Sequence, residues 1–315
     1  MIINNSSKKL TNHCKACGSQ LIKNNPEKCK NCGFVFFSDY EEEFNYELNY
    51  NENSNYNNFE PSKILDHYKN SPNIKWALKK LKILRPNFKK PTLLEIGASQ
   101  GAFMKLASDY DFIVKGIELS SSSIEYAIRN FSFKNNLELG ECRRKEKNEK
   151  KVDIVCAFEV LEHCKNPVSF MENIKSWLSP NGFVLISVPN SRRLAVRLGR
   201  REIQDYPPHH LMYFNKKSLT YLLRNSGFKV LEVKTSRLTH SDILSALFPN
   251  FARKRAASLG SFQPISNKIK DSDKVDMKFT NLYGIITFLG KIIARLIDKN
   301  FPELGSRLMI IAEKR

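Results

Sequence analysis

The sequence predicts an α/β fold, in which a mostly parallel sheet carries helices on both faces. From about residue 91 onward, short apolar segments of strand length alternate with helix-forming segments, and this alternation requires parallel strands joined by right-handed crossovers. One strand runs directly into a loop with two glycines at 97–101, and the next strand ends at the acidic residue Glu118. We therefore expect a ligand at the carboxyl ends of these strands.

The elements of the sheet follow from the apolar pattern in chain order. Five strands are predicted at 92–96, 112–118, 137–139, 152–158 and 183–188, with helices between them. Ser122 and Glu125 form a capping box that predicts a helix start, and the turn sequence at 179–182 predicts a helix end before the fifth strand. Two more strands are predicted at 228–235 and 307–312.

Four of the seven cysteines form two Cys-x-x-Cys pairs separated by eleven residues. These residues are Cys14, Cys17, Cys29 and Cys32. Four thiolates at this spacing can complete a tetrahedral Zn²⁺ site, and four protein ligands leave no open position for catalysis. We therefore predict a structural zinc module over residues 1–38, whose metal supplies most of the folding free energy of this segment.

A second region, 39–90, connects this module to the α/β domain at 91–315. Residues 39–58 are rich in Asn, Glu and Tyr, which is typical of a linker or a loosely held arm. Apolar residues at helical spacing follow over 64–84, and Ser71 and Pro72 interrupt them. This pattern predicts two helices that lead into the α/β domain.

Length and composition limit the class of protein. A chain of 315 residues with 41% hydrophobic content can fold as one α/β domain with a small additional module. The pattern of a signal peptide and an apolar run of about 18 residues are both absent from the sequence, so we expect a cytosolic protein. The net charge of +19 indicates either a solvated basic surface or anionic partners such as nucleotide-sugars, lipid phosphates or RNA.

The loop at 97–101 indicates a nucleotide-like cofactor. Its glycines let the backbone approach a ligand, and Glu118 is placed to bind ribose hydroxyls, whereas the third glycine of the dinucleotide fingerprint is absent. The segment Leu-Leu-Glu-Ile-Gly-Ala-Ser-Gln-Gly at 93–101 resembles motif I of the class I S-adenosylmethionine-dependent methyltransferases, with Ser99 in place of the usual middle glycine.

This resemblance implies a Rossmann-like sheet of seven strands that ends in an antiparallel pair. The strands at 228–235 and 307–312 are then that pair, and residues 236–305 form a helical insertion between them. Within the insertion, apolar residues repeat at intervals of three and four over 285–297, which predicts an amphipathic helix. Its apolar face is expected to pack on the domain or on a dimer partner, or alternatively to contact a membrane surface.

The resemblance also implies which residues bind S-adenosylmethionine. The glycine loop would lie against the methionine part with Glu95 near its ammonium group, Glu118 would bind the ribose, and Glu141 would approach the adenine amino group. Phe158 and Glu159 would line the pocket after the fourth predicted strand. The complete predicted cofactor set is Glu95, Gly97, Ala98, Ser99, Gly101, Glu118, Leu119, Glu141, Phe158 and Glu159.

Histidines in two segments are the candidate general bases. The segment Glu-Val-Leu-Glu-His at 159–163 resembles one that is common in small-molecule methyltransferases, which would place His163 at the methyl-transfer face as a base or as a structural hydrogen-bonding residue. His209 and His210 follow two prolines in a loop after the fifth predicted strand, and His210 is the preferred base. Alternatively, these two histidines and Asp205 could bind a metal.

The motifs together resemble bacterial methyltransferases that carry an amino-terminal zinc-binding part, many of which modify sugars during cell-surface glycan or natural-product assembly. The resemblance implies methylation of a sugar hydroxyl or carbon in a nucleotide-linked or lipid-linked glycan. An RNA or protein methyltransferase is a second hypothesis, although residues 158–161 lack the Asn/Asp-Pro-Pro-Tyr/Phe motif. A non-catalytic zinc protein that binds nucleic acid is a third.

Overall fold

A computed structural model of the chain describes residues 13–21, 27–37, 60–84, 90–247 and 277–315. The strands, in chain order, are β1 Glu27–Lys28, β2 Val35–Phe36, β3 Thr92–Ile96, β4 Ile113–Glu118, β5 Leu137–Leu139, β6 Val152–Phe158, β7 Leu178–Pro189, β8 Met212–Tyr213, β9 Phe228–Thr235 and β10 Arg307–Lys314. The helices are α1 Pro61–Asn70, α2 Pro72–Leu84, α3 Ala102–Asp109, α4 Ser121–Phe131, α5 Pro167–Trp177, α6 Leu194–Arg197, α7 Lys216–Asn225, α8 His240–Leu247 and α9 Met277–Asn300.

Seven of the described strands form one sheet in the order β5-β4-β3-β6-β7-β10-β9. The first five strands of this order are parallel to one another, and β10 is antiparallel to both β7 and β9. The predicted α/β class and the antiparallel pair at the end of the sheet are thereby confirmed. Because the strands from β3 to β7 are parallel, their carboxyl ends and the loops that follow them lie at one edge of the sheet.

Successive residues of the central strands point to opposite faces of the sheet, as the period of a strand requires. On one face, Leu93 and Leu185 belong to a buried cluster with residues of α2 and α3. On the other face, Leu94 and Ile186 pack in a cluster with residues of α5 and α7. Helices therefore cover both faces, which explains why the strands read as nearly continuous apolar runs.

Residues 179–182 were predicted to form a turn before the fifth strand. In the structure they lie inside β7. Leu178 already pairs with Val152 of β6, and the register shifts before the next pair, Ile154 with Phe183. Asn181 takes a left-handed conformation with φ of 56°. The turn residues therefore form a bulge in a longer strand, because the residues on both sides of them still pair with β6.

The start of α4 also differs from the prediction. Ser120, and not Ser122, is the N-cap, and its side chain accepts a hydrogen bond from the backbone N–H of Ser123 at 3.2 Å. Four consecutive serines at 120–123 offer several equivalent caps, and β4 ends at Glu118, which places the first of them at the helix start.

The cysteine segment contacts the α/β domain through a small sheet of its own. Strand β2 pairs with β1 on one side and with β8 on the other, where Val35 lies opposite Tyr213. The rings of Phe34 and Phe214 are 5.0 Å apart, and both belong to the buried cluster that covers one face of the large sheet. The module therefore packs on the segment that directly follows His209 and His210.

The two helices predicted before the α/β domain are present as α1 and α2, and α2 buries Ala77, Leu78 and Leu81. The predicted arm at 39–58 lies outside the described residues. Helices α8 and α9 belong to the predicted insertion, of which residues 248–276 also lie outside the described part.

Helix α9 presents two different surfaces after residue 288. Ala294 is buried and packs with Leu238 and Ile243 of the same insertion, and Leu194 packs against this cluster. Four apolar residues on the other side are exposed, namely Leu289, Ile292, Ile293 and Leu296. Among the described residues, no helix combines the length and the apolar character needed to cross a membrane. Contact of α9 with a dimer partner or a membrane surface stays a prediction.

Candidate active site

The loop between β3 and α3 is held against β4 by backbone hydrogen bonds. The N–H groups of Gly97 and Ala98 donate to the carbonyl of Ile117 at 2.8 and 3.2 Å. Gly97 has a φ of 71°, and a Cβ atom there would lie 2.5 Å from Cγ2 of Val160, in the segment after β6. Glycine at position 97 is therefore required by both the backbone conformation and the close contact.

Ser99 occupies the position at which motif I usually has glycine. Its φ is 48°, in the left-handed region, and the residue is exposed. A left-handed conformation costs a non-glycine residue about 1 kcal/mol, but an exposed serine side chain meets no steric barrier here. The loop therefore holds Ser99 in a conformation that glycine adopts more readily.

Glu118 lies directly beside this loop. Its carboxylate accepts hydrogen bonds from the backbone N–H groups of Ser99 at 2.6 Å and Ser120 at 2.9 Å. A carboxylate at the end of the second strand, in contact with a glycine-containing loop, is the arrangement that binds ribose hydroxyls in nucleotide-binding sheets. The glycine-containing loop and the carboxylate of Glu118 therefore fit the cofactor that motif I implies.

Glu95 is buried in β3, with 4% of its surface exposed. Its Oε2 atom has no hydrogen-bond partner among the described residues. Burial raises the pKa of Glu95 well above its usual value, and the charge of Glu118 raises it further, while a hydrogen bond to the backbone of Met104 lowers it. A role of Glu95 beside the methionine ammonium group stays a prediction.

The other predicted cofactor residues lie at the same edge in different environments. Phe158 packs edge-on against Phe103 of α3, with ring centroids 4.7 Å apart, and Leu119 is half-buried after β4. Glu141 is exposed on the loop after β5. The adenine contact of Glu141 and the pocket role of Phe158 stay predictions.

Glu159 adopts a left-handed backbone conformation, with φ of 55°, immediately after β6. Its Oε1 atom accepts a hydrogen bond from the Ser187 hydroxyl at 2.7 Å, and its Oε2 atom lies 3.4 Å from Nε of Arg307. These contacts hold the residue in a conformation that most residues avoid. Sequence reasoning missed Arg307, although the antiparallel direction of the last strand places its first residue at this edge.

The short helical turn Leu161–His163 meets the loop that precedes β8. The backbone N–H of Leu211 donates to the carbonyl of Glu162 at 2.9 Å, and the rings of His163 and His210 have centroids 4.9 Å apart. Nδ1 of His163 lies 2.6 Å from the carbonyl oxygen of His209. The structure therefore brings together the two histidine segments that the sequence singled out.

Asp205 orients His210 from the other side. Its Oδ1 atom lies 3.7 Å from Nδ1 of His210, and its Oδ2 atom forms an ion pair with Arg193. The pKa of Asp205 lies below its ordinary value, because hydrogen bonds from His210 and Arg193 outweigh the effect of burial. Because the carboxylate of Asp205 is already paired with Arg193, Asp205 is poorly placed to serve as the metal ligand that the alternative prediction assigned to it.

Two histidines of this cluster, His163 and His209, favour the neutral form. Burial lowers the pKa of His163 to about 4, with His210 adding a further decrease. Burial also lowers the pKa of His209, again with a contribution from His210. A neutral imidazole can accept a proton or bind a metal ion, so the cluster suits either chemistry.

A cavity of about 450 Å³ opens at the same edge, between the ends of β7 and β9 and helix α7. Its lining carries four cationic side chains, Arg192, Lys216, Lys217 and Arg224, and one acidic side chain, Glu303. The remaining lining residues include Asn190, Asn215 and Thr220. Sequence reasoning missed this cavity, because its residues come from segments that are far apart in the chain.

The four cysteines of the amino-terminal module converge on one point. Sγ of Cys14 lies 3.6 Å from Sγ of Cys32, and Sγ of Cys17 lies 3.6 Å from Sγ of Cys29. A tetrahedral zinc site with Zn–S bonds of about 2.3 Å has S–S separations of about 3.8 Å. These two separations are close to that value, and all four sulfur atoms lie within 4.8 Å of one another.

Comparisons of sequence and structure find relatives of this chain. A family profile described as Methyltransferase domain matches residues 72–233. A ubiquinone biosynthesis O-methyltransferase of Rickettsia typhi is 27% identical over 178 residues, which cover 53% of this chain and 72% of that protein. The corresponding enzyme of Rickettsia bellii is 26% identical, with 53% and 74% covered. The structure of a candidate sarcosine dimethylglycine methyltransferase from Galdieria sulphuraria superposes with a TM-score of 0.50 at 10% identity, over 76% of this chain and 84% of that one.

Proposed function

Since this chain belongs to the methyltransferase domain family and is an S-adenosylmethionine-dependent methyltransferase, we propose that it methylates a hydroxyl group of a small, phosphate-bearing acceptor. A sugar of a nucleotide-linked or lipid-linked glycan is the acceptor class that we favour. The relatives named as O-methyltransferases support oxygen as the methylated atom.

Methyl transfer from a sulfonium is an in-line displacement, so the protein must position both reactants and remove the proton of the hydroxyl. In this proposal the loop at 97–101 and Glu118 hold the cofactor, and the histidines at 163, 209 and 210 surround the acceptor hydroxyl and its proton. Bound S-adenosylmethionine supplies an activated methyl group. The contact between the two histidine segments, with ring centroids 4.9 Å apart, supports this assignment.

The cationic cavity is the observation that carries the choice of a phosphate-bearing acceptor. Its lining contains four basic side chains and one acidic one, and Asn190 places it directly after β7, at the edge where the glycine loop also lies. Arginine and lysine side chains form charge-assisted hydrogen bonds with phosphate oxygens. We therefore place the phosphate of the acceptor in this cavity, with the sugar extending toward the histidines.

We also propose that the four cysteines bind a structural Zn²⁺ ion. The buried Cys14, Cys29 and Cys32 sit beside β2, which pairs with β8. Because β8 directly follows the loop of His209 and His210, the zinc module would support this loop from behind. The sulfur separations of 3.6 Å support this proposal.

The first experiment measures cofactor binding and methyl transfer separately. Calorimetry should show binding of S-adenosylmethionine and S-adenosylhomocysteine by the wild-type protein, and absence of binding would refute the cofactor assignment. His210→Ala should lower kcat at least about a hundred-fold, the usual contribution of an acid–base group, with unchanged affinity for S-adenosylhomocysteine. An equal loss of kcat and of affinity for S-adenosylhomocysteine would indicate a structural role for His210.

The second experiment compares acceptors with and without a phosphate group. Arg224→Ala should raise KM about ten-fold for a nucleotide-linked sugar, since a charged hydrogen bond contributes about 1.5–3 kcal/mol, and should leave the KM of the free sugar unchanged. Lys229→Ala, an exposed substitution outside the cavity lining, is the matched control. An equal effect of both substitutions would contradict the proposed phosphate position.

A phenolic acceptor is the second candidate, and the names of the Rickettsia relatives favour it. A catechol without a phosphate group serves as the probe in the same assay. Methylation of the catechol in preference to the sugar, with no effect of Arg224→Ala, would favour this candidate. Transfer to RNA, with affinity that falls steeply as salt rises, would instead favour the polymer hypothesis.

A further inference from the structure

Three side chains at the contact between the two histidine segments converge on one point. Glu162 and His163 belong to the helical turn after β6, and His210 belongs to the loop before β8. One carboxylate oxygen of Glu162 and one ring nitrogen from each histidine all lie within 4.8 Å of one another. This cluster contains a residue, Glu162, to which the sequence assigned no role.

Glu162 is the unusual member of the cluster. Only 1% of its surface is exposed, and neither of its carboxylate oxygens has a hydrogen-bond partner among the described residues. Burial of a carboxylate without such a partner is strongly unfavourable, and buried carboxylates are normally paired or bound to metal ions. Nε2 of His163, a group that can carry a positive charge, lies 3.9 Å from Oε1 of Glu162. A cation between these groups would satisfy the carboxylate.

The orientation of both imidazole rings agrees with metal binding. Nδ1 of His163 faces the carbonyl of His209 at 2.6 Å, which turns Nε2 of the same ring toward Glu162. Nδ1 of His210 faces Asp205 at 3.7 Å, and Arg193 in turn pairs with Asp205. Histidines that bind metals usually donate their second ring N–H to a backbone carbonyl or a carboxylate, which fixes the ring and its tautomer.

We propose that Glu162, His163 and His210 bind a divalent metal ion at the methyl-transfer face, distinct from the ion of the cysteine module. Two imidazoles and one carboxylate are a ligand set for ions such as Zn²⁺, Mn²⁺ or Fe²⁺, and three protein ligands leave coordination positions open. This proposal rests on the proposed function, because an open position beside the cofactor edge is where the oxygen of the acceptor hydroxyl would bind.

Such a metal ion would assist the removal of the proton from the acceptor. A hydroxyl oxygen bound to a divalent cation loses its proton more readily. With His210 as a metal ligand, the proton acceptor would be His209, which lies outside the ligand set, and the loss of activity in His210→Ala would come from loss of the metal ion. The oxygen then forms a bond to the methyl carbon, the bond between that carbon and sulfur breaks, and its electron pair remains on sulfur. The products are the methyl ether, S-adenosylhomocysteine and the imidazolium of His209.

The experiment uses the full chain with its cysteine site loaded with Zn²⁺, and Mn²⁺ as the probe, because Mn²⁺ prefers oxygen and nitrogen to thiolate ligands. Electron paramagnetic resonance and calorimetry should show saturable binding of a single Mn²⁺ per chain. Glu162→Gln and His163→Ala should each weaken this binding at least about ten-fold. His209→Ala is the matched control and should bind Mn²⁺ as the wild type does, because its backbone carbonyl is retained.

Binding of S-adenosylhomocysteine by each variant checks that it is folded. Absence of saturable Mn²⁺, Co²⁺ or Zn²⁺ binding beyond that of the cysteine site would overturn the proposal, and so would unchanged Mn²⁺ affinity in a folded Glu162→Gln variant. Failure of methyl transfer to every acceptor, with Mn²⁺ binding intact, would instead contradict the proposed function alone.

Discussion

Gly97 shows how a single residue fixes the geometry of the cofactor loop. Its φ of 71° and the 2.5 Å contact that a Cβ atom would make with Val160 are two separate obstacles to any other residue. We expect Gly97→Ala to destabilise the protein by about 1–3 kcal/mol and to weaken binding of S-adenosylhomocysteine. Urea denaturation and calorimetry measure these two effects.

The double variant Gly97→Ala with Val160→Ala separates the two obstacles. It removes the steric contact and leaves the backbone strain, so stability should recover only in part. Complete recovery would show that φ contributes nothing at this position, and no recovery would show that the contact with Val160 is unimportant.

Glu118 is the residue that we expect to contribute most to cofactor affinity. Glu118→Gln replaces a charged acceptor of ribose hydroxyls with a neutral one, and should weaken binding of S-adenosylhomocysteine by about ten-fold or more. Glu125→Gln, on the exposed side of α4, is the control for loss of one negative charge. Equal affinities of the two variants would show that Glu118 only supports the loop through Ser99 and Ser120.

Glu95 should make stability depend on pH. Burial raises its pKa in the folded protein above that of the unfolded chain, so its contribution to stability is present below about pH 4 and is lost as the pH rises toward the folded pKa. Glu95→Gln stays neutral and should become more stable than the wild type as the pH rises, by up to about 1.4 kcal/mol per pH unit. Urea titrations between pH 4 and 8 test this, and parallel profiles would contradict it.

At the residue scale, the sequence predicts positions better than contacts. Motif spacing is enough to place Gly97 and Glu118, because Gly97 directly follows β3 and Glu118 is the last residue of β4. The contacts of Glu159 with Ser187 and Arg307, and of Asp205 with Arg193, depend on how separate segments meet in the folded sheet. No local sequence pattern predicts contacts between distant segments. The cluster that contains the carboxylate of Glu162 was therefore found only in the structure.

At the scale of elements, the presence of each helix or strand was easier to predict than its boundaries or the register of its pairing. The strands at 92–96, 137–139, 152–158 and 228–235 have the predicted bounds, since each is an apolar run that ends at polar or turn-forming residues. The bulge at the start of β7 was wrongly predicted as a turn, because the same residues favour a left-handed conformation in either setting.

Strand β2 of the cysteine module pairs with β8, and removal of the proposed Zn²⁺ tests whether the module supports the histidine loop. A chelator, or Cys14→Ser, should release the sulfur cluster and loosen the pairing of β2 with β8. We expect kcat to fall more than cofactor affinity, because β8 follows the histidine loop and the cofactor residues belong to other strands. Metal analysis and kinetics provide the measurement, and full activity in the metal-free protein would contradict it.

At the scale of the whole molecule, part of the net charge of +19 lies in one cavity. Four basic side chains concentrate in the cavity beside α7, at the edge of the sheet where the cofactor loop and the histidines also lie. A cleft lined by one sign of charge increases the local concentration of oppositely charged ligands. From the net charge alone, a solvated basic surface and a site for anionic ligands were equally good interpretations.

The pairing of β2 with β8 also has a consequence for the order of synthesis. The cysteines leave the ribosome before the strand that completes their small sheet, Met212–Tyr213, which is made only after most of the large sheet. During that interval, metal coordination would be the main interaction that keeps the amino-terminal hairpin folded. The proposed Zn²⁺ would therefore bind while the rest of the chain is still being translated.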